Sequence, residues 1–207
     1  MKRVFMRKPV GLTGGIATGK SLIAGHLQKL GAMVISGDEV AHEVLSPKSP
    51  AIQSLVDSFG SHIVTSEGAL NSKEMLDELI SNQHNLYRQI NILTPYILPA
   101  IDRKVAYAIL HHPGKLVVVE APLLFEYGRR DRYGAVIVVY APREIQIKRL
   151  MQRSHISEKR AGQIVDIQIP VDQKIKMADY IVDNSGSFES AIEQTERLFT
   201  KLIQINR

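Results

Sequence analysis

The stretch Gly14-Gly15-Ile16-Ala17-Thr18-Gly19-Lys20-Ser21 lies between a short apolar run at residues 10–12 and a segment of helical periodicity at residues 21–30. Its spacing, G-x-x-x-x-G-K-[ST], lets successive backbone N–H groups point at phosphate oxygens, and the helix that follows adds partial positive charge. In such a loop Lys20 reaches the β- and γ-phosphates, and Ser21 offers its hydroxyl to Mg²⁺. The stretch therefore predicts a phosphate-binding P-loop; the alternative is a glycine-rich turn that only caps a helix.

Short apolar runs alternate with helical patterns on both sides of a long helical stretch. The runs are residues 10–12, 32–35, 116–119, 135–140 and 180–182, and the helical stretch is 46–112. Near-continuous apolar strands between helices are typical of a parallel sheet covered on both faces. The sequence predicts an α/β fold, a P-loop NTPase with three α/β/α layers and a five-stranded parallel sheet. We expect a core of residues 1–45 and 113–207 and a helical insertion at 46–112, in which residues 84–93 and 96–111 form separate helices.

Two acidic residues follow predicted strands. Asp38 comes shortly after the second strand, and Glu120 ends the apolar run at residues 116–119. Because the carboxyl ends of parallel strands line a ligand crevice, Asp38 is a candidate base for an acceptor hydroxyl, and a helix N-cap is an equally good interpretation. Glu120 has the Walker B arrangement for holding Mg²⁺, and its alternative is a solvated residue at a strand end.

A basic segment follows the fourth strand. Its Arg149 and Arg153 lie four residues apart and face away from the apolar stripe that includes Ile147 and Leu150. Small P-loop kinases use arginines on a mobile lid to neutralise charge in the transition state. A solvated helix face is the simpler interpretation, and these residues alone favour it.

The bulk composition excludes several classes of protein. The 207 residues contain no Cys, which removes disulfides and thiolate metal sites and fits a reducing, cytoplasmic location. No apolar run approaches the ~20 residues that span a bilayer, and the basic start, at Met1 or Met6, lacks the apolar stretch of a signal peptide. The net charge of +5 suits a polyanionic partner. Since no dense Lys/Arg tract exists, we expect a phosphorylated small molecule, no nucleic acid and no membrane.

Several stretches, taken in order, resemble the dephospho-coenzyme A kinase family over about residues 10–202. They are Gly11-Leu12-Thr13-Gly14-Gly15-Ile16 with Gly19-Lys20-Ser21, then Asp38-Glu39-Val40-Ala41-His42, Phe59-Gly60, Pro122-Leu123-Leu124-Phe125-Glu126, Gln146-Ile147-Lys148-Arg149-Leu150-Met151-Gln152-Arg153, Gln168, Lys174 and Asp183-Asn184-Ser185-Gly186. The string at 122–126 is the most distinctive of them.

The resemblance implies an enzyme that uses ATP and Mg²⁺ to phosphorylate the ribose 3′-hydroxyl of dephospho-coenzyme A, the final step of coenzyme A synthesis. It implies that the insertion binds the acceptor and that residues near 143–165 form a lid. It also implies that Thr13 and Asp38 lie beside the reacting hydroxyl, with Asp38 as the base, and that Arg149 and Arg153 belong to the lid. A monomer or a weak homo-oligomer is expected.

The predicted site residues fall into three groups. The catalytic group is Asp38, Lys20, Thr13, Arg149 and Arg153. The ATP-binding group is Gly14, Gly15, Ile16, Ala17, Thr18, Gly19, Lys20, Ser21, Leu22 and Asn184, the last proposed for the adenine. The metal group is Ser21 and Glu120.

The chain departs from the family pattern at a few positions. Ser36-Gly37-Asp38 stands where Asp-Ala-Asp is usual, and it keeps the acid that matches the proposed base. Ala17 replaces a usual Gly, and Leu22 a usual Thr. Ser72 and Thr94 replace a common Arg and His in the insertion, which bears on acceptor recognition more than on phosphoryl transfer.

Two other functions compete with this one. A kinase of similar build could act on a nucleoside monophosphate or a sugar acid, although the string at 122–126 and the length of the insertion argue against it. A nucleotide-dependent switch or a nucleic-acid-binding NTPase would need a basic stripe or an aromatic stacking platform. With 6% aromatic residues and no Trp, the chain offers little for the second alternative.

Overall fold

The computed structural model describes residues 8–205, so that the two candidate starts, Met1 and Met6, lie outside the described residues. The described chain forms two compact units. One contains the residues up to Ser36 together with those from Arg103 onward, and the other spans Gly37–Asp102. The sequence predicted the boundaries between the core and the insertion after residue 45 and after residue 112. The acceptor-binding role of the insertion stays a prediction.

The described residues form one parallel sheet flanked by helices. The strands are β1 (Val10–Gly14), β2 (Met33–Ser36), β3 (Val117–Glu120), β4 (Ala135–Tyr140) and β5 (Tyr180–Asp183). The helices are α1 (Lys20–Lys29), α2 (Gly37–Val44), α3 (Pro50–Phe59), α4 (Ser72–Ser81), α5 (His84–His111), α6 (Arg143–Ser154), α7 (Glu158–Val165), α8 (Val171–Lys174) and α9 (Phe188–Ile205). The strand order is β2-β3-β1-β4-β5, which confirms the predicted five-stranded parallel sheet.

The strand register brings the ends of the central strands to one edge of the sheet. Glu120, the last residue of β3, pairs with Leu12 of β1 on one side and with Ser36 of β2 on the other. Gly14, the last residue of β1, pairs with Val139 of β4. Because all strands point the same way, the segments that follow β1, β3 and β4 leave the sheet at this edge.

The two faces of the sheet are covered differently. Alternate strand residues such as Leu12, Val118 and Ile137 form one buried cluster with residues of α1 and α9, including Leu27 and Leu198. This cluster fixes the helix that follows the P-loop against the central strands.

On the opposite face, the loop after β3 lies directly on β1. A Cβ added at Gly11 would stand 2.5 Å from Leu124 Cδ1 and 3.1 Å from Tyr133 Cγ. A side chain at this position would therefore displace the buried Leu124 and Tyr133 side chains. The glycine keeps the loop that carries the distinctive 122–126 string close to the strand that leads into the P-loop.

The unit Gly37–Asp102 consists mainly of helices with clear start signals. Ser49 caps α3 by accepting a hydrogen bond from Ile52 N, and Asn71 caps α4 by accepting from Lys73 N and Glu74 N. Both helices therefore begin with a side-chain cap that satisfies backbone N–H groups of the first turn.

The predicted break between residues 93 and 96 is wrong, because α5 continues through Pro95 and Pro99. Each proline removes one backbone hydrogen bond from a helix. The same stretch buries an apolar face formed by Ile90, Leu93, Ile97 and Ile101. The burial of this face outweighs the two lost hydrogen bonds. Over residues 8–205, no helix combines the length and the apolar character needed to cross a membrane.

Candidate active site

The P-loop leaves β1 at Gly14 and enters α1 at Lys20. Its backbone enters the left-handed region at Ala17, with φ of 57°, and at Gly19, the residue before α1, with φ of 96°. Left-handed geometry is strained for a residue with a Cβ. Ala17 therefore holds a conformation that the glycine usual in the family would adopt without strain.

Two side chains from distant parts of the chain support the loop. A Cβ added at Gly15 would lie 2.4 Å from Gln146 Oε1, and one at Gly19 would lie 2.2 Å from Asn184 Nδ2. Asn184 Nδ2 also donates to Thr18 O at 2.7 Å, and Gln146 Nε2 donates to Ala141 O at 2.9 Å. Both amides are buried, so the loop is shaped by fixed neighbours as well as by its own sequence.

These two amides are site residues whose role the sequence did not reveal. Gln146 lies beside Ile147 on the buried face of α6, where spacing alone predicts an apolar residue. Asn184 was expected at the adenine, whereas its side chain contacts the P-loop backbone. Only their place in the family string marks them in the sequence. An adenine contact for Asn184 stays a prediction.

The Lys20 ammonium lies against the carbonyl groups of its own loop. Its Nζ donates to Gly15 O at 2.7 Å and to Gly14 O at 3.4 Å. The side chain thus folds over the cradle of backbone N–H groups, where a phosphate oxygen would exchange with these carbonyls. Leu22, also predicted to contact ATP, lies in the first turn of α1 and is 40% exposed.

The two predicted metal ligands lie together. Ser21 Oγ donates to Glu120 Oε1 at 3.0 Å, which joins the first turn of α1 to the end of β3. Glu120 is buried, whereas Ser21 is exposed. A hydroxyl and a carboxylate oxygen at one point are the hard ligands that Mg²⁺ prefers, so the residues fit this ion. Their role as metal ligands stays a prediction.

Thr13, the residue before the P-loop, is buried and pointed at the loop that follows β3. Its Oγ1 donates to Pro122 O at 3.3 Å. The same carbonyl accepts a hydrogen bond from Lys174 Nζ at 3.1 Å. The hydroxyl therefore has its donor engaged and can only accept from another group.

Lys174 forms a completely buried ion pair that the sequence did not predict. Its Nζ lies 2.8 Å from Glu126 Oε1, and neither side chain is exposed to solvent. Burial lowers the pKa of Lys174, and the neighbouring Glu126 carboxylate opposes that shift. Charged residues are rarely buried in this way, so the pair stands out from ordinary surface ion pairs.

The predicted lid consists of α6 and α7. Arg143 opens α6 and Asp166 follows α7, and the two form a bidentate pair with distances of 2.8 and 2.7 Å. Arg153 is exposed near the end of α6, as the sequence predicts.

The expected exposure of Arg149 is wrong. Arg149 is half-buried, and its Nη2 donates to Asn184 O at 2.8 Å. Its Nη1 is buried and has no hydrogen-bond partner among residues 8–205. Helix spacing correctly places Arg149 away from the apolar stripe. In the fold, that side of α6 faces the segment after β5, and sequence periodicity does not reveal this contact.

Asp38 belongs to the unit Gly37–Asp102, whereas the P-loop belongs to the other unit. It is the second residue of α2, directly after β2, and its side chain is exposed. Since α2 begins at Gly37, Asp38 stands in the first turn rather than before it. Its role as a base stays a prediction.

Comparison with known proteins agrees with the site. A model of the dephospho-CoA kinase family matches residues 8–190. The dephospho-CoA kinase of Syntrophotalea carbinolica is 37% identical over 194 residues, which cover 94% of this chain and 92% of the relative.

Two solved structures are similar to this chain over nearly its whole length. The dephospho-CoA kinase from Campylobacter jejuni is 29% identical with a TM-score of 0.63, covering 98% of this chain and 100% of that one. A Thermus thermophilus protein is 26% identical with a TM-score of 0.74, covering 95% of this chain and 97% of that one. The chain belongs to the dephospho-CoA kinase family, which catalyses the final ATP-dependent step of coenzyme A biosynthesis.

Proposed function

We propose that the P-loop and its neighbours transfer the γ-phosphoryl group of ATP to the ribose 3′-hydroxyl of dephospho-coenzyme A, giving coenzyme A and ADP. The P-loop, with the Ser21–Glu120 pair at its exit, supports phosphoryl transfer from ATP, and membership of the dephospho-CoA kinase family supports the acceptor. Phosphoryl transfer passes through a loose transition state, so that most of the catalysis is alignment and charge neutralisation.

In this mechanism the P-loop amides and Lys20 hold the β- and γ-phosphates. Lys20 gives up its carbonyl partners, Gly14 and Gly15, when phosphate oxygens arrive. Ser21 and Glu120 would hold Mg²⁺, which when bound neutralises phosphate charge and orients the β- and γ-oxygens. Asp38 would orient the acceptor hydroxyl and accept its proton.

The lid arginines would complete the charge neutralisation. Arg149 has one buried N–H-bearing atom, Nη1, without a partner among the described residues, and a phosphate oxygen would satisfy it. Arg153 is exposed on the same helix and would engage the phosphates when the lid moves. We also propose a cytoplasmic monomer or weak homo-oligomer that takes no nucleic-acid or membrane partner.

We expect ATP turnover to require both dephospho-coenzyme A and Mg²⁺. The measurement is coupled ADP release with a panel of acceptors that includes adenylate, gluconate and dephospho-coenzyme A. Chelation by EDTA should stop turnover, and added Mg²⁺ should restore it. Good phosphorylation of adenylate or gluconate together with none of dephospho-coenzyme A would contradict the proposed acceptor. Binding to an oligonucleotide that falls steeply with salt would instead favour a nucleic-acid-dependent NTPase.

Arg149→Ala and Arg153→Ala should each lower kcat, by up to about 10²-fold where the arginine reaches the transferring group, because a preorganised cation is lost. Arg153→Ala should leave the melting temperature unchanged. Arg149→Ala should also lower it slightly, since the bond to Asn184 O is lost. Steady-state kinetics and thermal melts measure both effects.

Lys148→Ala is the matched control for the two arginine variants, because Lys148 is an exposed cation on the same helix. We expect this control to keep wild-type kcat. Wild-type kcat and kcat/KM for both arginine variants would show that α6 does not act as a lid.

A further inference from the structure

One backbone carbonyl lies between the P-loop and a buried charge. Pro122 O accepts hydrogen bonds from Thr13 Oγ1 at 3.3 Å and from Lys174 Nζ at 3.1 Å. Thr13 is on β1, Pro122 is in the loop after β3, and Lys174 ends α8. The carbonyl thus joins three segments that are distant in sequence. Whatever fixes its position also fixes the direction of the Thr13 hydroxyl.

Glu126 holds Lys174 at this carbonyl. The Glu126 Oε1 atom lies 2.8 Å from Lys174 Nζ and also accepts from Ile169 N at 3.0 Å. Two residues of the same short loop, Pro122 and Glu126, therefore bind one ammonium group. The ammonium group therefore holds both the first and the last residue of the segment 122–126 in place.

The pair is poorly suited to a purely stabilising role. Both side chains are fully buried, and the second carboxylate oxygen, Glu126 Oε2, has no hydrogen-bond partner within residues 8–205. Desolvation of two charges costs more than their attraction returns unless the remaining polar atoms are also satisfied. Apolar side chains of similar size would stabilise this position as well or better. The pair therefore requires another explanation.

We propose that Lys174 and Glu126 are positioning residues for phosphoryl transfer. They hold the Pro122 carbonyl so that the Thr13 hydroxyl keeps its proton on that carbonyl and presents only lone pairs to an acceptor hydroxyl. The 3′-hydroxyl carries a single proton, so Thr13 and Asp38 accept it in turn. Thr13 accepts the hydrogen bond as the acceptor docks and helps to aim its oxygen at the γ-phosphorus, and the proton passes to Asp38 during transfer. This inference rests on the proposed function, since it needs an acceptor beside Thr13.

The first test replaces both charges at once, by Lys174→Met with Glu126→Leu. The double variant should fold with a melting temperature close to that of the wild type, because no unpaired charge is left buried and only Ile169 N loses its acceptor. Its kcat should fall roughly 10- to 10²-fold, the scale of a small misplacement of reacting groups. Its Kd for ATP should stay within about twofold of wild type. A folded variant with wild-type kcat would overturn the proposal.

A second pair of substitutions, Lys174→Met with Glu126→Gln, keeps an acceptor for Ile169 N in case the leucine version does not fold. Thr195→Val is the matched control, because Thr195 is also fully buried and donates to Ala191 O within α9. We expect this control to keep wild-type kcat. It tests whether loss of any buried hydrogen bond slows the enzyme.

A double-mutant cycle separates positioning from a general loosening of the fold. If Lys174 acts through Thr13, the charge replacements should add little to the loss of kcat already caused by Thr13→Val. Additive losses in the cycle would overturn the proposal. The kinetics use whichever acceptor the wild type phosphorylates in the panel. If that acceptor is not dephospho-coenzyme A, the proposed function is refuted, but the effect of the substitutions on kcat can still be measured.

Discussion

Lys20→Ala is expected to abolish turnover while leaving the protein folded. The ammonium group is the one P-loop side chain able to place a full positive charge on the β- and γ-phosphates. Loss of one such preorganised group typically costs about 10²–10³ in kcat, and a full charge in a site closed to water costs more. The variant should also bind ATP more weakly, because the charge contacts the ground-state phosphates as well.

Stability should change little in this variant. The Lys20 ammonium donates to Gly14 O and Gly15 O, which are carbonyls of its own loop. Kinetics with saturating ATP, ATP titration and a thermal melt test the three expectations. Lys29→Ala, at the exposed end of the same helix, is the control. Near wild-type kcat for Lys20→Ala would mean that the loop has only a structural role.

Asp38→Asn is expected to lower kcat by roughly 10²–10⁴-fold, the usual worth of a positioned general base. The lower end of this range applies if the proton leaves late in a loose transition state and Asp38 mainly orients the acceptor. The asparagine keeps the size of the side chain and its ability to accept a hydrogen bond. ATP affinity should be nearly unchanged, because Asp38 is not part of the P-loop.

The structural alternative for Asp38 makes a different prediction. In the first turn of α2, a carboxylate interacts favourably with the helix N-terminus, and its loss would lower only the melting temperature, by a small amount. Glu39→Gln, the neighbouring acidic residue of the same turn, is the matched control for this effect. If the Asp38→Asn variant keeps kcat within a few-fold of wild type, Asp38 serves α2 alone and the base is another group.

The fold was predictable because its signals are local. The alternation of apolar strands with helices and the Gly14–Ser21 stretch determine a parallel α/β sheet without any knowledge of packing. The sequence predicted a break in α5 near Pro95, because proline disfavours a helix interior. The helix continues because its apolar face is buried, and that burial depends on tertiary packing which the local sequence does not show.

The site was predictable only in part, for a related reason. The G-x-x-x-x-G-K-[ST] spacing identifies the P-loop, and the end of an apolar strand identifies Glu120. The supports of the loop, Gln146 and Asn184, carry no such spacing, because their contacts join elements that meet only in the folded chain. Lys174 in particular lies in a short helix where a solvated lysine is the ordinary expectation.

The central position of β1 has a consequence for the order in which this protein becomes functional during synthesis. The P-loop is synthesised early. Glu120, the partner of Ser21, lies 99 residues later, and Asn184, the partner of Thr18, lies 166 residues later. At about 5–20 residues per second, the second interval lasts roughly 10–30 s. In a nascent chain the apolar segment of β1 is therefore exposed long before β3 and β4 are available to pair with it. Such non-local pairing folds slowly, and ATP stabilises the chain only after the phosphate site that binds it has formed.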